Sequence, residues 1–250
     1  MKKRVIKILI AIAIVIVVIV GLIFWSAFKE LKEEDILKQE IINYANKDLL
    51  TDTYKIEVKT TGDRAYIEEA IKKYYKSLAE NVQEIQAIVN DPEFQNVLSV
   101  ESILKDRPNY LNGHKIINNT RKELEESIQE ISKLCDEDTI KNLIDKDKLD
   151  NPEYYYDFYL DLMYTEKDLE YLKTAKEQMQ QTATMLNTFF DKLEEILNFL
   201  EENDASMVYQ DNAFYFTDEN LQIRLLEYIE ELEEITGMTA VEENEVDTTV

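Results

Sequence analysis

Residues 166–202 read EKDLEYLKTAKEQMQQTATMLNTFFDKLEEILNFLEE, and within this stretch Leu172, Met179, Leu186, Leu193 and Leu200 recur every seven positions. Leu169, Ala183, Phe190 and Leu197 fill the second seam position, with Lys176 as the departure. A seven-residue apolar repeat returns to the same helix face every two turns, so it marks a helix that packs along its whole length. About 37 residues at 1.5 Å per residue give roughly 55 Å. That is long for a globular helix and ordinary for a bundle or coiled coil. Phe189 and Ile196 widen the stripe beyond a two-helix seam, which predicts packing against several antiparallel neighbours. The fold is therefore expected to be mainly α, an antiparallel bundle of long helices.

The chain on either side of this helix supports that class. Only four Gly and three Pro occur in 250 residues, and most of them punctuate helical patterns. Ile67, Ile71, Tyr75, Leu78, Val82, Ile85 and Val89 alternate three and four apart, with Thr61 or Asp63 as cap and Asp91-Pro92 as stop. A short piece from Glu93 to about Asp106 leads into a turn at Pro108–Gly113. Beyond it Ile117, Leu124 and Ile131 recur every seven residues, with Ile128 between them. Near the start, Leu31, Ile36, Leu37, Ile41 and Ile42 give a helical stripe over residues 29–50.

Two segments break the helical rhythm. Tyr54, Ile56 and Val58 alternate with Lys55, Glu57 and Lys59, which predicts a strand near 53–59. Residues 206–217 resemble a hairpin with its turn at Asp211-Asn212, since both residue types tolerate a left-handed backbone. A lone strand leaves its hydrogen bonds unmade, so the two segments are expected to pair as a small three-stranded sheet. Thr217 is then the cap of a last helix, Gly237 its stop, and residues 237–250 an acidic, disordered tail.

The most specific segment for location is the apolar run Ile8–Phe28, about 21 residues behind Lys2, Lys3, Arg4 and Lys7. A helix of about 20 residues spans the roughly 30 Å of a bilayer core. The run exceeds a signal-peptide core, and Phe24-Trp25-Ser26-Ala27-Phe28 offers no small-x-small cleavage site. An uncleaved single-pass anchor is expected, with the lipid bilayer as partner. The cationic bias places residues 1–7 in the cytoplasm and residues 51–236 outside it.

Charge narrows the partners. All 52 acidic groups lie beyond Phe28, against 24 basic ones. Such a surface repels phosphates and disfavours nucleic acid and anionic headgroups. The single cysteine, Cys135, forbids an intrachain disulfide and follows Ile131 and Leu134 on a helical face, which predicts a buried small hydrophobe.

Chemistry is sparse. The one histidine, His114, reads as an exposed turn residue, and no G-x-S-x-G elbow or phosphate-cradling loop accompanies it. Zinc and di-iron ligand sets are missing, and Asp145–Asp150 imitates only the first two ligands of a calcium loop. No catalytic residue, metal or cofactor is therefore assigned. The unusual local composition is Tyr154–Tyr164, where a helix starting at Pro152 puts Tyr155, Phe158, Tyr159 and Leu162 on one face. Tyr154, Tyr156, Asp157 and Asp161 remain as a candidate interaction patch, since aromatic rings beside carboxylates suit sugars, cationic peptides or partner helices. The expected role is a non-enzymatic scaffold or interaction module of the cell envelope, with other envelope proteins as partners. A ligand-binding or sensory module is the alternative, and a wall hydrolase the more distant one.

Overall fold

The computed structural model describes residues 36–164, 166–211 and 213–242. The run Ile8–Phe28 lies outside them, and among the described residues no helix is long and apolar enough to cross a membrane. Nine α-helices are described: α1 Ile36–Ala45, α2 Asp63–Val89, α3 Pro92–Gln95, α4 Val100–Asp106, α5 Leu111–Leu134, α6 Glu137–Lys141, α7 Pro152–Met163, α8 Glu166–Glu202 and α9 Glu219–Glu242. Strands β1 Met207–Gln210 and β2 Ala213–Phe216 form an antiparallel hairpin before α9.

These residues fall into two compact units, one ending at Gln86 and including Glu126–Gln180, the other Ala87–Glu125 with Gln181 onward. In the first, Ile67, Ile71, Leu78 and Val82 of α2 are buried together with Leu37 and Ile41 of α1, Ile131 of α5 and Tyr159 of α7. In the second, Leu186, Leu193 and Leu200 of α8 form the buried spine with Phe190 and Leu197. Phe94 of α3 meets Phe190 at 5.8 Å between ring centres, and Phe199 meets Phe216 of β2 at 5.4 Å. Burial of Phe189 and Ile196 beside the heptad seam accounts for the wide stripe.

The expected three-stranded sheet does not form. The sheet has two strands, with Met207 opposite Phe216 and Gln210 opposite Ala213, and Asp211 takes the left-handed turn conformation at φ 53°. Residues 52–61 make no ladder. Side chains occupy one edge of this segment instead: Lys47 Nζ donates to the Thr53 carbonyl, Tyr44 Oη to Lys55, and Lys72 Nζ to Glu57. A period of two does not require a partner strand when side chains accept or donate along the edge.

Four further expectations need correction. The described part of 29–50 is helical only over Ile36–Ala45, and Ile36 faces water while Leu37, Ile41 and Tyr44 are buried. Asn112, Gly113 and His114 belong to the first turn of α5, because the Asp106 carboxylate accepts from the amides of Asn112 at 3.1 Å and Gly113 at 2.7 Å. Asp218, whose carboxylate accepts from Asn220 N at 2.8 Å, caps α9 in place of Thr217. The helix α9 continues through Gly237 to Glu242, shortening the expected tail, since one helical glycine costs only about 1 kcal/mol.

Candidate functional site

The aromatic run forms α7. Pro152 sits in its first turn, where no N–H is needed, and Asn151 Oδ1 caps Tyr154 N at 3.5 Å. Asp63, buried at the start of α2, accepts from the amides of Asp150 at 2.8 Å and Asn151 at 3.0 Å, which locks the entry to α7. Asp63 therefore serves as a clamp on another segment, not as the helix cap its sequence position suggests.

The core side of α7 is Tyr159, Leu162 and Met163, all buried, and Tyr159 Oη donates to the Ile140 carbonyl at 2.6 Å. Tyr155 and Phe158 are only half-buried. Tyr154 is 61% exposed and packs edge-on against Tyr155 at 5.0 Å and parallel to Phe158 at 6.3 Å. Lys38 Nζ of α1 sits 5.9 Å from the Phe158 ring centre. Asp157 and Asp161 are exposed, and spacings of three and seven put them on the face of Tyr154.

Tyr156 does not join that face. It is half-buried on the other flank, with Lys146 Nζ 3.4 Å from its ring centre, its hydroxyl 3.4 Å from the Lys141 carbonyl and Tyr159 at 6.3 Å. The candidate patch thus resolves into Tyr154, Asp157 and Asp161, while Tyr156 stands apart.

The single histidine and the single cysteine lie away from this face. His114 is half-buried on α5 rather than an exposed turn residue, with Nδ1 on the Glu194 carboxylate and Nε2 3.7 Å from Glu201. Asn118 donates to the same Glu194 at 3.0 Å, and Arg121 pairs with Asp191 at 2.7 Å. Together these groups make a polar seam between α5 and α8 in the second unit. Cys135, in the first unit, is buried, and loss of water pushes its thiol pKa up to about 12. A neutral thiol is a poor nucleophile. Among the described residues no group of three His, Cys, Asp or Glu side chains is arranged to hold a metal. In the calcium-like loop, Asp145 accepts from Asp147 N at 3.2 Å and Lys148 lies 3.5 Å from the Asp145 carboxylate.

Sequence reading missed a buried ionic network in the first unit. Glu68 and Lys72, one turn apart on α2, are 0% and 2% exposed and meet at 2.6 Å. Glu68 also accepts from the amides of Lys59 and Thr60 and from the Thr60 hydroxyl. Lys72 reaches Glu40 at 3.1 Å, and Glu40 takes Lys59 at 2.8 Å. Two carboxylates and two ammonium groups balance. Burial alone pushes the Glu68 carboxyl up, but Lys72, the Thr60 hydroxyl and the two amides outweigh it and hold its pKa below the usual carboxylate range. Glu40 is held low chiefly by Lys59, against partial burial and with help from Lys72. The i, i+4 spacing of Glu68 and Lys72 was visible, yet it looks the same as the exposed pairs Glu69–Lys73 and Lys76–Glu80.

Two open grooves lie on the described surface. One, of about 450 Å³, runs along Thr53–Ile56 beside Lys76, Ala79, Glu80 and Gln83. The other, of about 390 Å³, lies near Val97, Ile103, Tyr110 and Gly113. Compared with protein-family models, curated proteins and solved structures, the chain has no match.

Proposed function

We propose that this chain is a single-pass, membrane-tethered, non-enzymatic scaffold or interaction module whose helical mass lies outside the cytoplasm. The observation that carries the reading is the apolar run Ile8–Phe28 behind four cationic residues. The chemistry of the helical part is compatible with it. The hydrogen bond of His114 to the Glu194 carboxylate and the burial of Cys135 support structural roles for both side chains. The exposed Tyr154, Asp157 and Asp161 supply an amphipathic face for protein partners.

The test is membrane fractionation with site-directed labelling. The full chain is expected to stay with membranes through alkaline carbonate washing and to be released when residues 8–28 are deleted. A Thr248→Cys variant is expected to take an impermeant maleimide on intact cells, with wild-type Cys135 giving the background. Label appearing only after permeabilisation reverses the topology. Recovery of the intact chain in the soluble fraction overturns the tether.

A further inference from the structure

We infer that residues 54–58 are a self-complementary edge through which two copies of this chain pair as antiparallel strands. In an extended chain successive peptide groups point to opposite edges. Here the carbonyls of Thr53, Lys55 and Glu57 are taken by Lys47, Tyr44 and Lys72, while the amide of Lys59 is taken by Glu68. The alternate set, the N–H and C=O groups of Tyr54, Ile56 and Val58, has no hydrogen-bond partner among the described residues. The segment is therefore half a ladder: one edge is fixed by α1 and α2, the other is open. An open edge of this kind is a template for another strand.

The side chains identify the occupant. With Ile56 on a two-fold axis, Ile56 faces its own copy, Tyr54 faces Val58, and Lys55 faces Glu57 in both directions. The three residues with open backbone groups map onto each other, so all six N–H donors in the pair find carbonyls. Lys55 and Glu57 are exposed and have no ion-pair partner among the described residues, and they meet at the closely spaced positions between the hydrogen-bonded pairs. The sequence Tyr-Lys-Ile-Glu-Val thus reverses its own charge about its centre, a property that a second copy satisfies in this register.

The test uses charge reversal in the full chain, held in neutral detergent micelles and sized by sedimentation. Wild type is expected to dimerise, with the amides of Tyr54, Ile56 and Val58 gaining protection from hydrogen exchange as concentration rises. Lys55→Glu alone and Glu57→Lys alone each turn two attractive pairs into repulsive ones, and each is expected to weaken dimerisation by about tenfold or more. An equimolar mixture of the two variants restores complementarity and is expected to dimerise as wild type does. Both side chains are exposed, so unchanged circular dichroism checks that the fold is kept. A monomeric wild type overturns the inference and leaves the edge to a foreign strand. Single variants that dimerise undiminished, or a mixture that does not recover, also overturn it.

Discussion

Lys72 Nζ lies 2.6 Å from the Glu68 carboxylate, and it also holds the Glu57 carbonyl at 2.7 Å and Glu40 at 3.1 Å. This one ammonium joins α1, α2 and the non-helical segment 52–61. Removing either partner strands the other charge away from water, at a cost of about 3–5 kcal/mol. Lys72→Met and Glu68→Gln are each expected to lower the urea midpoint strongly, and Lys72→Met to open residues 52–61 to proteolysis. The double variant Glu68→Leu/Lys72→Met is expected to lose much less than the sum. Additive losses would show that the pair is not coupled.

The same network sets the acid limit. Glu68 and Glu40 have folded pKa values below their unfolded ones, so between those values the unfolded chain binds more protons. Their contribution is present above the ordinary carboxylate range and is lost as pH falls through the folded values. Thermal midpoints are therefore expected to fall below about pH 5. In Glu68→Gln the slope of that fall is expected to be shallower, which a series of melts at fixed ionic strength checks.

Helical periodicity carried most of the fold into view, since Ile67 to Val89, Ile117 to Ile131 and Leu172 to Leu200 all mark buried faces. Such stripes are legible because a helix must hide one side. The period of two at Tyr54–Val58 was equally visible but has two physical solutions, a partner strand or a row of side chains, and the donors Tyr44, Lys47 and Lys72 lie elsewhere in sequence. The same blindness hid the Glu68 network, because i, i+4 ion pairs look alike whether exposed or buried. In the candidate patch, helical spacing puts Tyr154 on one face with Asp157 and Asp161. Tyr156 lies on another flank, beneath Lys146, whose approach no local spacing encodes.

Gly113, in the first turn of α5, is a point of close approach. A Cβ built there would stand 2.8 Å from Leu197 Cδ1, a side chain only 1% exposed. Gly113→Val is expected to destabilise by about 1–3 kcal/mol through overpacking. Shortening the opposing side chain makes room, so Leu197→Ala should cost less in the Gly113→Val background than alone. Denaturant titration of the double-mutant cycle checks the sign of that coupling.

Cys135 reports on opening of the first unit. With its pKa pushed up to about 12, the thiolate fraction at pH 8 is about one in ten thousand. Modification by a thiol reagent is expected only when the surrounding core opens, so its rate should fall on stabilisation and rise in Lys72→Met. Rapid labelling of the folded wild type contradicts this burial.

The two faces of α7 predict opposite outcomes for two tyrosines. Tyr159 is 0% exposed and its hydroxyl donates to Ile140 O at 2.6 Å, so Tyr159→Phe removes that bond, leaves the carbonyl to the Leu143 amide at 3.2 Å, and is expected to cost about 1 kcal/mol. Tyr154 is 61% exposed and touches Tyr155 and Phe158 only along its edge and face, so Tyr154→Ala is expected to change stability by less than about 0.5 kcal/mol. If Tyr154, Asp157 and Asp161 form a partner surface, Tyr154→Ala weakens co-purification of envelope proteins with the full chain while melting as wild type does. Tyr159→Phe shows the reverse pattern, with lowered melting and retained partners. Loss of stability in Tyr154→Ala would assign its ring to the core and remove the patch.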